Sequence, residues 1–197
     1  FGGGGGTWAN YEALNPAHAM PEMNFAPTGT KVSLPLYRDN FEQGEYVVKD
    51  ESCFRCGISC HKNVYDENED GKAGRFRAKL DFEPLNLLSS NIGIFKPDEC
   101  LELCEWVDQY CMDSISIGTS LSYMMEYNRR NPDNKIAGGV MYGDYHGTER
   151  VIKEIGEGKL PLVGQGCLRM GDELGQPEYA MQSLSLIHIS EPTRHCL

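Results

Sequence analysis

The clearest helical pattern in the chain is the stretch Pro97-Asp98-Glu99-Cys100-Leu101-Glu102-Leu103-Cys104-Glu105-Trp106-Val107-Asp108-Gln109-Tyr110-Cys111. Proline fits the first turn, where its missing amide hydrogen is not needed, and the two carboxylates that follow face the positive end of the helix dipole. Apolar residues then recur at spacings of three and four and mark one buried face: Cys100, Leu103, Cys104, Val107 and Cys111. The sequence therefore predicts a helix that ends near Cys111.

Similar patterns follow on the C-terminal side of this helix. Residues 116–130 place apolar side chains on one face, and the pattern stops at Asn131-Pro132. A third helix is predicted from Thr148, as its N-cap, to Gly156, and a fourth over residues 165–174. Strands and helices do not alternate in the way that a doubly wound sheet requires. These patterns predict a mainly α, multihelical fold.

The part of the chain before the cysteines is poor in regular patterns. Residues 1–49 are rich in Gly, Pro and Asn, and prolines interrupt any helical period. We expect a loop-rich N-terminal part there, with a short strand possible over residues 31–36.

The two ends of the chain have unusual sequences. The chain starts at Phe1 with a glycine run, which we interpret as the cut end of a longer protein. Residues 184–197 resemble the translation of a sequencing adapter joined to the reading frame, with a genuine amphipathic strand as the alternative. We therefore assign residues 1–183 to one or more partial helical domains and leave the tail out of the fold.

Composition excludes several classes of function. The formal charge of −11, from 29 acidic and 18 basic residues, would repel a phosphate backbone, so we expect no nucleic acid partner. The longest apolar stretches are too short to span a bilayer, so we expect no membrane contact. The chain has eight cysteines, and three of them lie close together, which fits a metal site in a reducing compartment better than disulfides. We predict a cytoplasmic protein.

The closely spaced cysteines form the run Cys53-Phe54-Arg55-Cys56-Gly57-Ile58-Ser59-Cys60. This C-x2-C-x3-C spacing lets three thiolates curl around one iron–sulfur cluster, although a zinc site or inert cysteines stay possible on spacing alone. A fourth ligand must come from elsewhere. The remaining candidates are buried-face cysteines, where an inert thiol is the simpler reading, and one later cysteine: Cys100, Cys104, Cys111 and Cys167.

Four further segments, in order, complete a family resemblance. They are Leu80-Asp81-Phe82-Glu83-Pro84, Asp108-Gln109-Tyr110-Cys111-Met112-Asp113-Ser114-Ile115-Ser116, Gly143-Asp144, and Glu178-Tyr179-Ala180-Met181. Together with the cysteine run, this order resembles the aldehyde:ferredoxin oxidoreductase family and covers most of residues 20–182. The resemblance identifies the chain as an internal fragment of such an enzyme.

The resemblance implies two cofactors. One is a [4Fe–4S] cluster held by Cys53, Cys56 and Cys60, with its fourth cysteine downstream of this chain. The other is a bis-pterin that carries tungsten or molybdenum, and residues 108–116 match the family's pterin-binding segment. Within that segment the cofactor-binding residues would be Asp108, Met112 and Asp113.

The implied reaction is oxidation of an aldehyde to a carboxylic acid, with electrons passing through the cluster to ferredoxin or a similar acceptor. Glu83 would handle protons for a small carbonyl substrate. We expect this chain to be inactive alone. Simpler interpretations exist for the same residues: helix-end capping for Asp108 and Asp113, and a helix-start glutamate for Glu83.

Departures from the family pattern leave other functions open. Cys111 stands where the family has Gly, which predicts a different backbone conformation, because glycine tolerates torsions that cysteine resists. Phe82 stands where Tyr is common, which favours comparison with the catalytic subunit of a tungsten-dependent aromatic acyl-CoA reductase. An alternative of another class is a small metal-binding or electron-carrier module, in which the cysteine run is the whole site.

Overall fold

The computed structural model describes residues 6–26 and 33–181. The interpretation of residues 184–197 as an adapter sequence, and most of the initial glycine run, lie outside these ranges. The proposed division of the chain into domains stays a prediction.

The described residues form eight α-helices, three strands and five short 3-10 helices. The α-helices are α1 Asn10–Leu14, α2 Arg38–Glu42, α3 Phe82–Leu87, α4 Pro97–Gln109, α5 Ser114–Arg130, α6 Tyr145–Gly156, α7 Pro161–Gly164 and α8 Cys167–Leu174. The strands are β1 Tyr46–Glu51, β2 His61–Glu67 and β3 Ala73–Lys79. The 3-10 helices span Gly6–Ala9, Leu34–Leu36, Ser90–Ile92, Ala137–Gly139 and Pro177–Tyr179. The predicted mainly α class is confirmed.

The central element is α5, on which most of the other helices pack. Eleven of its 17 residues are buried, so it is covered on nearly every side. Helices α3, α7 and α8 contact it directly, while α4 packs on both α5 and α6. No helix in the described ranges is long and apolar enough to cross a membrane.

The strands form a small antiparallel sheet in the order β1-β2-β3 that the sequence analysis did not predict. Val48 pairs with Val64, and Val64 pairs with Ala78, which places a narrow apolar row in the middle of the sheet. Most other strand residues are charged or polar, and much of the sheet is exposed to solvent. The usual alternation of apolar and polar residues is therefore too weak to be read from the sequence.

The loop-rich N-terminal part is ordered by buried aromatic residues. Trp8 and Tyr11 are 1% exposed, and the Trp8 indole donates a hydrogen bond to the Leu36 carbonyl over 3.0 Å. The Trp8 ring meets Phe41 edge-on, with ring centroids 4.9 Å apart. The 3-10 helix Gly6–Ala9 also contacts β2 and α3, which holds this segment on the rest of the fold although local sequence patterns there are irregular.

Several predicted boundaries are confirmed and others are wrong. The helix predicted to end near Cys111 ends at Gln109, and Cys111 is exposed rather than on the buried face. Helix α6 begins before the predicted N-cap Thr148, because Asp144 caps it by accepting a hydrogen bond from the Gly147 amide over 2.9 Å. The strand considered for residues 31–36 is wrong over its described part, which contains a 3-10 helix.

Candidate functional site: a cysteine loop and a cleft

The three clustered cysteines lie on the loop that connects β1 and β2. Residues 52–60 close this hairpin, since Glu51 pairs with His61 at its base. Cys53 and Cys56 are exposed, Cys60 is half-buried, and all three are free thiols. The Sγ atom of Cys53 lies 3.1 Å from Nε2 of His61. The hairpin therefore presents two exposed thiols and one half-buried thiol at one end of the sheet.

The loop is a series of tight turns. The Cys56 amide donates to the Cys53 carbonyl over 2.9 Å, and the Cys60 amide donates to the Ile58 carbonyl over 3.0 Å. Arg55 adopts a left-handed conformation at φ 60°. Within residues 6–26 and 33–181, no three His, Cys, Asp or Glu side chains converge on a point that could hold a metal ion. The thiols thus share one loop without surrounding a common centre.

The segment marked by the resemblance as pterin-binding connects α4 and α5. The Met112 amide donates to the Val107 carbonyl and the Cys111 amide donates to the Asp108 carbonyl, each over 3.0 Å, which is a Schellman ending. Cys111 adopts φ 54°, the left-handed conformation that favours glycine at this position. The cysteine side chain therefore does not prevent that torsion, at a cost of about 1–2 kcal/mol.

The two aspartates of this segment have different surroundings. Asp113 is the N-cap of α5, because its Oδ1 accepts a hydrogen bond from the Ser116 amide over 2.6 Å. Asp108 lies in the last turn of α4, and its residue is exposed. Partial desolvation by its neighbours nevertheless raises the pKa of the Asp108 carboxyl, and the charge of Lys79 opposes this rise. Helix capping thus explains the position of the Asp113 carboxylate but not that of Asp108.

A cleft of about 570 Å³ opens beside this segment. One wall comes from the α4–α5 connection and the start of α5, and consists of Tyr110, Met112, Asp113, Ser116 and Ile117. The opposite wall comes from the end of α6 through α7, and consists of Ile155, Gly156, Leu160, Pro161, Gly164 and Gln165. Met112 and Asp113 therefore lie in the cleft, whereas Asp108 is not among its lining residues.

Close contact between the two walls depends on Gly156. A Cβ atom at this position would lie 2.3 Å from the Tyr110 ring, which no real contact permits. The end of α6 can therefore approach the Tyr110 ring only because position 156 lacks a side chain.

Glu83 lies outside the cleft, in the first turn of α3, where it is half-buried. This placement agrees with the simpler interpretation of a helix-start glutamate. Its neighbour Phe82 packs edge-on against Tyr11, with ring centroids 5.3 Å apart. Helix α3 packs on α5, whose first residues line the cleft, but Glu83 itself is not among the lining residues.

The candidates for a fourth cluster ligand are mostly enclosed. Cys100, Cys104 and Cys167 are buried, and Cys111 is exposed. A hydrogen bond with Cys100, together with desolvation, raises the pKa of the Cys104 thiol well above its ordinary value. A buried neutral thiol of this kind is a poor metal ligand.

Comparison with known proteins gives the family. A family model described as "Aldehyde ferredoxin oxidoreductase, domains 2 & 3" matches residues 3–187. The chain belongs to the aldehyde ferredoxin oxidoreductase family. This membership confirms the resemblance carried by the cysteine run and the later segments.

Three curated proteins are similar to this chain. Proteins named tungsten-containing aldehyde ferredoxin oxidoreductase, from Pyrococcus horikoshii and Pyrococcus abyssi, are each 26% identical to 89% of this chain. The chain spans 29% of the length of each of these two proteins. A Pyrococcus furiosus protein named aliphatic sulfonate oxidoreductase, WOR-like subunit, is 29% identical over 46% of this chain and 14% of its own length.

Sequence reasoning missed two parts of the candidate site in this member of the aldehyde ferredoxin oxidoreductase family. The first is the far wall of the cleft, whose only local signal is a break rich in glycine and proline over residues 156–166. The second is Lys62, which is fully buried next to the cysteine loop. Alternation along β2 could have indicated it, because Lys62 is two residues from buried Val64 and so shares its face.

Proposed function

We propose that this chain contributes the cluster-holding loop and one pterin-holding segment of a tungsten-pterin oxidoreductase that oxidises aldehydes to carboxylic acids. The observation that carries this proposal is the cleft, because its wall contains Met112 and Asp113 of the segment that resembles the family's pterin site. The family membership and the names of the two relatives that match 89% of the chain support the same function.

The cysteine loop fits a [4Fe–4S] cluster by the chemistry of its donors. Thiolates are the usual ligands of such clusters, and Cys53, Cys56 and Cys60 are free thiols on one loop. These three residues would hold three irons, and a further thiolate would complete the cluster. The His61 imidazole, 3.1 Å from the Cys53 sulfur, would donate a hydrogen bond from its N–H group to that sulfur.

The cleft fits a pterin by its size and its lining. A volume of about 570 Å³ is in the range of small-molecule sites, and the walls combine apolar side chains with a few polar groups. Asp113 would accept hydrogen bonds from the N–H-rich edge of the pterin with the oxygen that does not cap α5. Met112 would pack against the ring, and Asp108 would approach from the end of α4.

When bound, the tungsten pterin would supply the two-electron oxidation itself. The part of this chain is to orient that cofactor in the cleft, to hold the cluster on the exposed hairpin and to move a proton at the Glu83 carboxylate. A small carbonyl compound is the proposed substrate. The exposed loop would pass electrons to ferredoxin or a similar acceptor.

The alternative function, a small metal-binding or electron-carrier module, differs in where its fourth ligand lies. Such a module would hold the ligand within this chain, and among the cysteines that the structure describes Cys111 is the exposed one outside the loop. Its exposure makes it the thiol to test. The two readings therefore differ in the effect of one substitution.

The deciding experiment is anaerobic reconstitution of the chain with ferrous iron and sulfide, with and without a small thiol as an external fourth ligand. Iron and sulfide per chain would be counted for the unaltered chain, Cys53→Ala and Cys111→Ala. We expect the unaltered chain and Cys111→Ala to need the small thiol equally, and Cys53→Ala to lose the cluster in both conditions. Assembly without the small thiol in the unaltered chain, lost in Cys111→Ala, would favour the self-contained module.

Activity needs the whole protein that carries this chain, purified from cells grown with tungstate. We expect tungsten in the purified protein and aldehyde-dependent reduction of ferredoxin. Turnover of aliphatic sulfonates or aromatic acyl-CoA compounds, without turnover of aldehydes, would contradict the proposed substrate.

A further inference from the structure

A fully buried lysine lies directly beneath the cysteine loop. Lys62 is 0% exposed, and it follows the last cysteine of the loop by two positions. Its Nζ donates a hydrogen bond to the Ser59 carbonyl over 2.8 Å and forms an ion pair with the Asp50 carboxylate over 2.9 Å. One ammonium group therefore joins the last turn of the loop to β1.

Burial of this charge is costly unless it is compensated, so its retention requires specific partners. Asp50 also forms an ion pair with Arg38 over 2.8 Å, and Arg38 in turn pairs with Glu42 over 2.8 Å. Desolvation raises the pKa of the Asp50 carboxyl, but the hydrogen bond from Lys62 and the charge of Arg38 outweigh it and lower that pKa. Asp50 thus stays ionised opposite Lys62.

The N-terminal segment closes over the same point. A Cβ atom at Gly6 would lie 2.7 Å from the Cys60 carbonyl oxygen and 3.0 Å from Cε of Lys62. On the other side, the Leu80 amide donates to the Lys62 carbonyl over 2.9 Å, at the end of β3. Cys60 and Lys62 are therefore enclosed from two directions, although Cys53 and Cys56 remain exposed.

We propose that Lys62 is a positioning residue for the iron–sulfur cluster: it fixes the Ser59–Cys60 end of the loop and places a buried positive charge beside the cluster. The inference rests on the proposed function, because it assumes that the three thiols hold such a cluster. A nearby positive charge favours the reduced cluster, which carries one more negative charge. Lys62 therefore raises the reduction potential as well as ordering the loop.

The first test needs no cluster. Amide hydrogen exchange over residues 52–60 and the alkylation rate of Cys60 would be measured in the unaltered chain and in Lys62→Met. We expect both rates to rise about tenfold, the factor for losing a hydrogen bond from a charged donor. The matched control is Lys49→Met, because Lys49 lies in the same hairpin with its Nζ over the Tyr65 ring, and it should change neither rate.

The second test measures the midpoint potential of the reconstituted cluster. In Lys62→Met we expect a tenfold smaller equilibrium constant for one-electron reduction, which is a potential about 59 mV lower. Lys62→Arg keeps the charge and should stay near the unaltered value. If Lys62→Met does not fold, Lys62→Gln keeps an N–H donor without the charge, and should show the lower potential with a smaller change in exchange.

Each result decides a separate point. Unchanged exchange and alkylation in Lys62→Met would overturn the anchoring role, and a loosened loop with an unchanged potential would reduce Lys62 to a structural residue. If the unaltered chain assembles no cluster, the proposed function fails and the electrostatic role fails with it. Faster exchange in Lys62→Met would still show that the lysine orders the loop, so the two failures are distinguishable.

Discussion

The Nε2 atom of His61 lies 3.1 Å from the Sγ atom of Cys53, across the base of the loop that carries the three clustered cysteines. The two residues are eight positions apart, and the pairing of Glu51 with His61 brings them together. The contact joins the first cysteine of the loop to the first residue of β2. It therefore couples the predicted cluster site directly to the sheet.

Removal of this imidazole is expected to lower the midpoint potential of the reconstituted cluster. A hydrogen bond from an N–H group to a ligand sulfur stabilises the reduced cluster, so the cluster of His61→Ala should be harder to reduce. His61→Gln keeps a hydrogen-bond donor, and its midpoint potential should change less. Potentiometric titration checks the order of the three proteins. His146→Ala is the control, because His146 is exposed on α6, and an equal shift there would contradict a specific contact.

Asp113 permits capping and cofactor binding to be separated. Asp113→Ala removes the acceptor for the Ser116 amide and should lower the free energy of unfolding by about 1 kcal/mol. Asp113→Asn keeps a capping oxygen but removes the charge, so it should preserve stability and still reduce pterin content in the whole protein. Urea unfolding and pterin analysis give the two readouts. Equal pterin content in the asparagine variant and the unaltered protein would leave capping as the only role.

Gly118 permits the close approach of α5 to α3. A Cβ atom there would lie 2.6 Å from the Leu87 Cβ and 2.7 Å from its carbonyl oxygen. Gly118→Ala should therefore destabilise the fold by about 1–3 kcal/mol through overpacking, measured by urea unfolding. Gly57→Ala is the control, because nothing lies within 4 Å of a Cβ at position 57. Equal urea midpoints for the two variants would contradict this, because α3 and α5 could then move apart without loss of stability.

Glu126 should make stability depend on acidic pH. Desolvation raises its pKa, but hydrogen bonds from Arg129 and Arg130 outweigh this effect and hold the pKa below its ordinary value of 4.5. A lowered carboxyl pKa stabilises the fold above the unfolded-state pKa, and this contribution is lost as pH falls through the folded-state pKa. Glu126→Gln should therefore cost about 1–2 kcal/mol at pH 7, allowing for the half-exposed guanidiniums, and much less near pH 3. Thermal unfolding at both pH values checks this, and a constant difference would contradict it.

The 197-residue chain alone should show no aldehyde-dependent dye reduction. It spans 29% of the length of the two relatives named tungsten-containing aldehyde ferredoxin oxidoreductase, so most of the length of these proteins lies outside the matched part. An anaerobic assay with a viologen dye checks this. Measurable turnover by the purified chain would contradict it.

Local sequence was sufficient wherever neighbouring residues decide the structure. The start of α4 at Pro97 and its end before Cys111 follow from a proline, an apolar stripe and hydrogen bonds within a few residues. The cysteine spacing is likewise local, and it placed three thiols on one loop. The family resemblance came from the order of such short segments.

Tertiary structure decided what depends on residues far apart in the chain. The sheet, the cleft and the burial of Lys62 all require segments that only the fold brings together, as in the meeting of Tyr110 with Gly156. Alternation along β2 places Lys62 on the same face as Val64, but its burial as a charged group depends on partners from elsewhere, because Asp50 and Ser59 come from another strand and a loop. Periodicity and propensity act over a few residues, whereas desolvation and cavity shape are set by every segment that packs around the point.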